Sequence, residues 1–237
     1  MGVRKNQSRL TRSEWRDFIA ALEALRAPDA PAPAYGVFVR VHVDAMTTAE
    51  GMRWGVHTML DMGMIGRDFL AWHRQYVVQL ERQLERLRPD VTIPYWDWTR
   101  DREIPEALSS GALLRRFGVI RGRDFDPSVL PTNRNINTLN ANTTFRAFQA
   151  ELEGLHGLVH NAVGGTMATA SSPADPLFWL HHSFVDRLWA RWQASPQGAP
   201  PPNPNERLLP ARAFGSPLFG NRVSTVLDVE ALGYEYG

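Results

Sequence analysis

Histidine is the residue type whose placement in this chain indicates chemistry. The 237 residues contain seven histidines: His42, His57, His73, His156, His160, His181 and His182. His156 and His160 are four residues apart, so on a helix both imidazoles point to the same side. His181 and His182 are adjacent, and Asp186 follows one turn after His182, where a carboxylate can fix the tautomer of an imidazole. This spacing indicates a built site rather than scattered histidines.

We interpret the histidines as two sets of three, each drawn from segments distant in sequence, which is typical of a site for two metal ions. The first set consists of His42, His57 and His73, and the second of His156, His160 and one member of the adjacent pair. Neutral imidazoles suit copper in both oxidation states, and three per ion leave an open position. Non-haem iron sites usually include a carboxylate, whereas zinc would accept the same ligands. The sequence has no cysteine, which excludes thiolate metal sites, disulfides and a catalytic thiol.

Helices must position these side chains. Apolar residues at three- and four-residue steps predict helices over residues 11–25, 37–46, 69–87, 141–162 and 175–193. Asp175 and Pro176 suit the start of the last helix, because aspartate can cap free N–H groups and proline fits the first helical position. We therefore expect a mainly α protein, a four-helix bundle housing a binuclear metal site, with long irregular loops and little β structure; the resemblance described below implies that the two metals are copper. His57 falls in a Gly- and Met-rich connection over residues 47–67.

The remaining segments carry weaker signals. We expect residues 1–10 to be a flexible N-terminus and residues 195–237 to be a tail that wraps the surface. A short helix is predicted within residues 104–117, a loop over 121–140 and a short strand within 223–229. Glu81 is expected on the solvent side of its helix.

Length and composition predict a single domain over residues 1–237, long enough to bury a sizeable core. The formal net charge is +1, so nothing indicates a nucleic-acid partner or an anionic membrane. No apolar run approaches the ~18 residues that span a bilayer, and the N-terminus lacks the apolar region of a secretory signal. We expect a cytoplasmic protein with no membrane partner, with partner-assisted export left open.

Four motifs of the chain resemble those of the type 3, or coupled binuclear, copper proteins, which include tyrosinases, catechol oxidases and haemocyanins. They are FLAWHR at residues 69–74, PYWDW at 94–98, HGLVHNAVGG at 156–165 and DPLFWLHHSFVD at 175–186. A final GYEY at residues 233–236 resembles the tyrosine motif that closes the core domain of this family. The last histidine motif is highly specific, because it combines fixed Asp, Pro, Phe and His positions.

The resemblance implies an oxidase with two copper ions per chain. Such an enzyme uses O2 to convert small phenolic substrates (o-diphenols, o-aminophenols and in some cases monophenols) to o-quinones or quinone imines. The family's ligand lies four residues before the aspartate, which selects His182 over His181. The implied metal ligands are His42, His57, His73, His156, His160 and His182. The alternatives are a haemocyanin-like oxygen binder and a metal-storage bundle, and some small bacterial relatives also need a copper-delivery helper protein.

The first copper site departs from the family pattern. The position of the family's second histidine in this site is occupied here by Met64, and His57 lies 16 residues before His73. Three alternatives stay open: His57 binds through a longer loop, Met64 binds as a thioether that suits Cu(I) better than Cu(II), or this copper is incompletely coordinated. We favour His57, because setting His181 aside leaves six histidines for two three-histidine sites.

Glu153 is the candidate catalytic residue beside the metals. It lies three residues before His156 and so on roughly the same helix face. In tyrosinases with this spacing the glutamate holds a water credited with helping to deprotonate phenol. A general base must reach the proton that it removes, either directly or through one water. An exposed helix carboxylate is the alternative.

Gly157 follows His156, at a position where enzymes with strong monophenol hydroxylation often have Asn. Glycine has no side chain that could hold a water against Glu153. We therefore expect oxidation of o-diphenols or o-aminophenols to outpace phenol hydroxylation. The small residues of 164–174 are expected to form one wall of an open site.

Overall fold

The computed structural model describes residues 1–53, 55–57, 66–122, 125–209 and 221–237. Its α-helices, in chain order, are α1 (Arg12–Ala24), α2 (Tyr35–Thr47), α3 (Ala49–Arg53), α4 (Phe69–Leu87), α5 (Gly111–Phe117), α6 (Asn133–Asn140), α7 (Phe145–Val163) and α8 (Pro176–Gln193). Two short strands, β1 (Gly2–Arg4) and β2 (Tyr234–Tyr236), and several short 3-10 turns complete the regular structure of the described ranges. The prediction of a mainly α fold with little β structure is confirmed.

The helices begin where capping chemistry allows. Asp175 accepts a hydrogen bond from the backbone N–H of Leu177 at 2.9 Å, and Pro176 occupies the first turn of α8. α1 starts with a reciprocal capping box between Thr11 and Glu14. These interactions satisfy N–H groups that have no partner within the helix.

Four helices, α2, α4, α7 and α8, surround the histidines. The hydroxyl of Tyr76 on α4 donates to the carbonyl of Phe38 on α2 at 2.6 Å. The indole of Trp179 on α8 donates to the hydroxyl of Tyr35 on α2 at 2.9 Å. Gln149 on α7 accepts from the backbone N–H of Leu70 on α4 at 3.2 Å. Each link joins a pair of helices that carries histidines, so the bundle holds them in a fixed arrangement.

The N-terminus differs from the flexible segment that we expected. β1 pairs in parallel with β2, so that Gly2 lies opposite Tyr234 and Arg4 opposite Tyr236. Arg4 is completely buried, and its guanidinium forms ion pairs with the carboxylates of Glu81 and Asp186. These ion pairs make burial of the charge tolerable. The tail likewise contributes buried side chains, among them Leu208 and Tyr234, rather than only wrapping the surface.

Other local expectations also need correction. The predicted loop over 121–140 contains α6, whose Thr132 forms a capping box with Asn135. The strand expected within 223–229 is a 3-10 turn at Val223–Val226. The short helix predicted within 104–117 is present as α5, which begins later than expected, after a 3-10 turn at Glu106–Leu108.

Glu81 was expected in solvent and is buried, with 3% of its surface exposed. It accepts hydrogen bonds from Arg4 and from the backbone N–H of Ile93, and partners of this kind make burial of a carboxylate tolerable. No helix among the described residues is long and apolar enough to cross a membrane.

Candidate metal centre

The first histidine group consists of His42, His57 and His73. α2 carries His42, α4 carries His73, and His57 lies in the described part of the connection between α3 and α4. One ring nitrogen from each lies within 4.8 Å of the others. The structure therefore brings together the three residues that the sequence assigned to one set. Met64 lies outside the described residues.

The second group consists of His156 and His160 on α7 with His181 and His182 on α8. Their candidate ligand nitrogens also lie within 4.8 Å of one another. The i, i+4 spacing on α7 puts both of its imidazoles on one side, with ring centroids 4.5 Å apart. The group thus contains one histidine more than a three-histidine site needs.

The two groups adjoin each other. The rings of His73 and His182 stack at 4.4 Å with an interplanar angle of 13°. The rings of His57 and His156 lie 6.1 Å apart. Contacts of this kind across the groups indicate one binuclear centre rather than two separate sites.

Backbone carbonyls orient four of the rings. The Nδ1 contacts are His42 to Ala170 O at 2.7 Å, His73 to Phe69 O at 2.8 Å, His156 to Glu153 O at 3.1 Å and His160 to Met167 O at 2.5 Å. Because a carbonyl oxygen only accepts, each Nδ1 carries the proton and each Nε2 holds a lone pair. The carbonyls thus leave Nε2 as the nitrogen of each ring that is available to a metal ion.

The Nε2 atoms form an unsatisfied set. Those of His42, His57, His73 and His156 are buried and have no hydrogen-bond partner among the described residues. Those of His160 and His182 face each other at 3.4 Å. Buried polar nitrogens without partners are rare and costly. Two copper ions would satisfy all six, so the residues present fit the pair of metals.

Burial lowers the pKa of every histidine in the two groups. The pKa falls to about 3 for His42 and to about 4 for His160, mainly because burial penalises the charged ring. Burial, reinforced by neighbouring histidines, places the pKa of the other five well below the usual range. All seven rings are therefore neutral at pH 7, which is the form that binds copper.

The adjacent pair on α8 divides into two environments. Nδ1 of His181 accepts a hydrogen bond from the indole Nε1 of Trp98 at 3.1 Å, and both residues are fully buried. His182 instead lies against His73 and His160. The sequence gives no sign of the contact between Trp98 and His181, because no periodic spacing links residues 83 positions apart.

Glu153 borders the centre. It is 9% exposed, so the alternative of an exposed helix carboxylate is wrong. Its Oε1 lies 3.8 Å from Nδ1 of His57, and the low pKa of His57 makes this a contact with a neutral ring. A cavity of about 220 Å³ lies at the centre, and its lining includes Gly157 and the histidines His42, His57, His156 and His160. Residues 167–170 and Ser172 line it, as the sequence predicted for the 164–174 wall.

Asp186 belongs to a buried charge network behind His182. Its spacing in the sequence would allow it to fix the tautomer of an imidazole, but in the structure it pairs with two arginines. Its carboxylate accepts from Arg74, from Arg4 at 3.1 Å and from the hydroxyl of Tyr234 at 2.6 Å. Burial raises the pKa of Asp186, but the two arginines and the tyrosine hydrogen bonds outweigh it, and the pKa lies below the usual value.

Known proteins resemble this chain in sequence and in fold. The model of the common central domain of tyrosinase matches residues 33–117 and 119–195. A tyrosinase of Streptomyces antibioticus is 33% identical, with 84% of this chain and 86% of that protein aligned. Deoxygenated haemocyanin of Rapana thomasiana has a TM-score of 0.78 at 26% identity, over 99% of this chain and 69% of that one.

A polyphenol oxidase of Vitis vinifera has a TM-score of 0.73 at 19% identity, over all of this chain and 85% of that one, which shows a common fold. The family-model match covers the helices of both histidine groups. The resemblance predicted from the motifs is confirmed, and the chain belongs to the tyrosinase family.

Proposed function

We propose that this protein is a copper-dependent oxidase that uses O2 to convert o-diphenols and o-aminophenols to o-quinones and quinone imines, with weaker activity on monophenols. Two copper ions per chain are expected from membership of the tyrosinase family and from the two histidine groups. The proposal is carried by the buried Nε2 atoms that have no partner in the described part of the chain, of which those of His42, His57 and His156 belong to residues that line a cavity.

His42, His57 and His73 are the proposed ligands of one ion, and His156, His160 and His182 those of the other. Carbonyl contacts at Nδ1 support Nε2 as the donor in four of these six rings. The hydrogen bond of His181 with Trp98 supports leaving His181 out.

The bound copper pair supplies reversible one-electron steps between Cu(I) and Cu(II), which couple oxidation of the phenol to reduction of O2. Each catechol loses two electrons and two protons on becoming an o-quinone, so two catechols reduce one O2 to two waters. The chain must bind the ring and accept the hydroxyl protons. The cavity is smaller than the ~300–1,000 Å³ of drug-sized sites, so it suits a single aromatic ring.

Glu153 is the proposed proton acceptor. Its carboxylate is nearly buried at the edge of the centre, beside His57 and one turn before His156. A general base at this position can take a hydroxyl proton directly or through one water. Gly157 offers no side chain to hold such a water, which favours substrates whose hydroxyls lose their protons more readily than those of monophenols.

The first test counts copper in the purified, loaded protein and follows O2 uptake with catechol, 2-aminophenol and tyramine. We expect two coppers per chain, sustained O2 consumption with the first two substrates and slower turnover of tyramine after a lag. Tyramine turnover as fast as that of catechol, without a lag, would overturn the substrate preference. O2 binding without sustained consumption would favour the haemocyanin-like alternative, and copper binding without either would favour storage.

Two further expectations from the sequence stay predictions. A helper protein for copper delivery is tested by adding Cu(II) to the purified chain alone and asking whether two ions bind. The cytoplasmic location is tested by fractionation of the source cells.

A further inference from the structure

Trp98 makes a contact that the proposed oxidase mechanism does not use. Its indole N–H donates to Nδ1 of His181 at 3.1 Å, in a site from which solvent is excluded. The backbone N–H of Trp96, two residues earlier, donates to the carbonyl of Leu180 at 3.1 Å and so docks this segment on α8. The indole is therefore held against the residue that precedes the proposed ligand His182.

This hydrogen bond determines the tautomer of His181. An indole N–H can only donate, so Nδ1 of His181 must hold a lone pair, and the single proton of the neutral ring lies on Nε2. That Nε2 is buried and has no hydrogen-bond partner among the described residues. Trp98 thus fixes the tautomer opposite to the one that the backbone carbonyls impose on His156 and His160.

His181 would otherwise be a competitor for the metal. It stacks on His156 with ring centroids 5.2 Å apart at 10°, and it lies 4.9 Å from His160. Its candidate ligand nitrogen falls within the same 4.8 Å group as those of the proposed ligands. A fourth imidazole would fill the open position that O2 and substrate need at this ion.

We propose that Trp98 is a positioning residue that keeps His181 out of the copper coordination sphere by holding its proton on Nε2. The second ion thereby keeps three imidazole ligands and an open position. This inference rests on the proposed function only in assuming that His156, His160 and His182 bind that ion.

The tautomer is tested without metal. ¹⁵N NMR of the metal-free protein, with the His181 signals assigned by comparison with His181→Phe, should show a protonated Nε2 and an unprotonated Nδ1. A proton on Nδ1 would overturn the proposal, whatever the copper content of the loaded protein proves to be. A failure of the oxidase proposal would instead appear as fewer than two coppers in the wild type, with the NMR result intact.

The exclusion of His181 is tested in Trp98→Phe loaded with Cu(I). The X-ray absorption edge distinguishes three- from four-coordinate Cu(I), and we expect the three-coordinate feature to weaken because one of the two ions gains a ligand. We also expect kcat for catechol to fall about 10- to 100-fold, the usual effect of removing a partner of the ligand shell, with KM little changed.

The double variant Trp98→Phe/His181→Phe separates exclusion from simple support of the fold. It should recover the three-coordinate edge and most of the lost kcat, because the competing imidazole is gone. Trp96→Phe is the matched control, because the indole of Trp96 is also fully buried but donates to the carbonyl of Asp101 and not to a histidine. Removing that indole should leave the absorption edge and the kcat near their wild-type values. An unchanged edge in Trp98→Phe, or no recovery in the double variant, would overturn the proposal.

Discussion

The Glu153 carboxylate and the His57 imidazole face each other across the two histidine groups, with Oε1 3.8 Å from Nδ1. Glu153 belongs to α7, which carries the second group, whereas His57 belongs to the first. The same carboxylate therefore lies beside the histidine whose role the sequence left least certain, and this histidine also lines the cavity. Several experiments separate these roles.

Glu153→Gln removes the charge and keeps the shape of the side chain. We expect kcat/KM for tyramine to fall by about 10²-fold, the lower end of the usual contribution of a general base, while copper content stays at two per chain. Glu151→Gln on the same helix is the control, since its carboxylate contacts Asn142. Loss of copper from Glu153→Gln would show that the carboxylate supports His57 instead of accepting a proton.

His57→Asn and Met64→Leu decide between the alternatives for the first copper site. If His57 is the ligand, His57→Asn should reduce copper from two ions per chain to one and abolish sustained O2 uptake, because both ions are needed for the reaction. Met64→Leu should keep two ions and most of the activity. The reverse pattern, measured by metal analysis of the two proteins in parallel, would assign the ligand to Met64.

Gly157→Asn should increase activity on monophenols. A Cβ built at Gly157 meets nothing within 4 Å, so a side chain fits without strain and can reach toward the cavity. The ratio of kcat/KM for tyramine to that for catechol is expected to rise about tenfold, the effect of about 1.4 kcal/mol. Gly154 has equally open surroundings, so Gly154→Asn is the matched control and should leave the ratio unchanged.

Arg4→Met tests the buried network that joins the two chain ends. Removing this guanidinium leaves the carboxylates of Glu81 and Asp186 short of a partner, which we expect to lower the free energy of unfolding by about 3–5 kcal/mol. Lys5→Met breaks an exposed pair with Glu14 and should cost less than about 1 kcal/mol. Urea unfolding of both variants measures the difference. Equally small decreases in the free energy of unfolding would contradict the buried network and support a flexible N-terminus.

The metal-free protein should lose stability as the pH falls from 7 to 4. The pKa of His42 is about 3 and that of His160 about 4 in the folded protein, against ~6.5 in the unfolded chain. Between these values the unfolded state binds more protons, so the free energy of unfolding decreases by up to about 1.4 kcal/mol per pH unit for each histidine.

Urea midpoints at pH 7.5, 6 and 5 measure this effect. Removing a titrating ring should make the decrease shallower, so His160→Phe is compared with wild type over the same range. A midpoint that does not change between pH 7.5 and 5 would contradict neutral burial of the rings.

The sequence by itself determined the parts of the centre that depend on local geometry. The i, i+4 spacing of His156 and His160 places both rings on one face of any helix that contains them. The Asp-Pro pair at 175–176 marks the start of α8 through capping chemistry that needs no distant partner. Helical periodicity and the histidine motifs were therefore sufficient to predict a helical protein with two sets of metal ligands.

Only the tertiary structure decided which atoms face which. Arg4 meets Glu81 from 77 positions away and Asp186 from 182, so a polar terminus and an apparently exposed glutamate became a buried ion-pair network. The Trp98 contact distinguishes His181 from His182, although the two are adjacent in sequence. Such long-range contacts leave no periodic trace in the chain, because they depend on how the helices pack and not on the spacing of residues along any one of them.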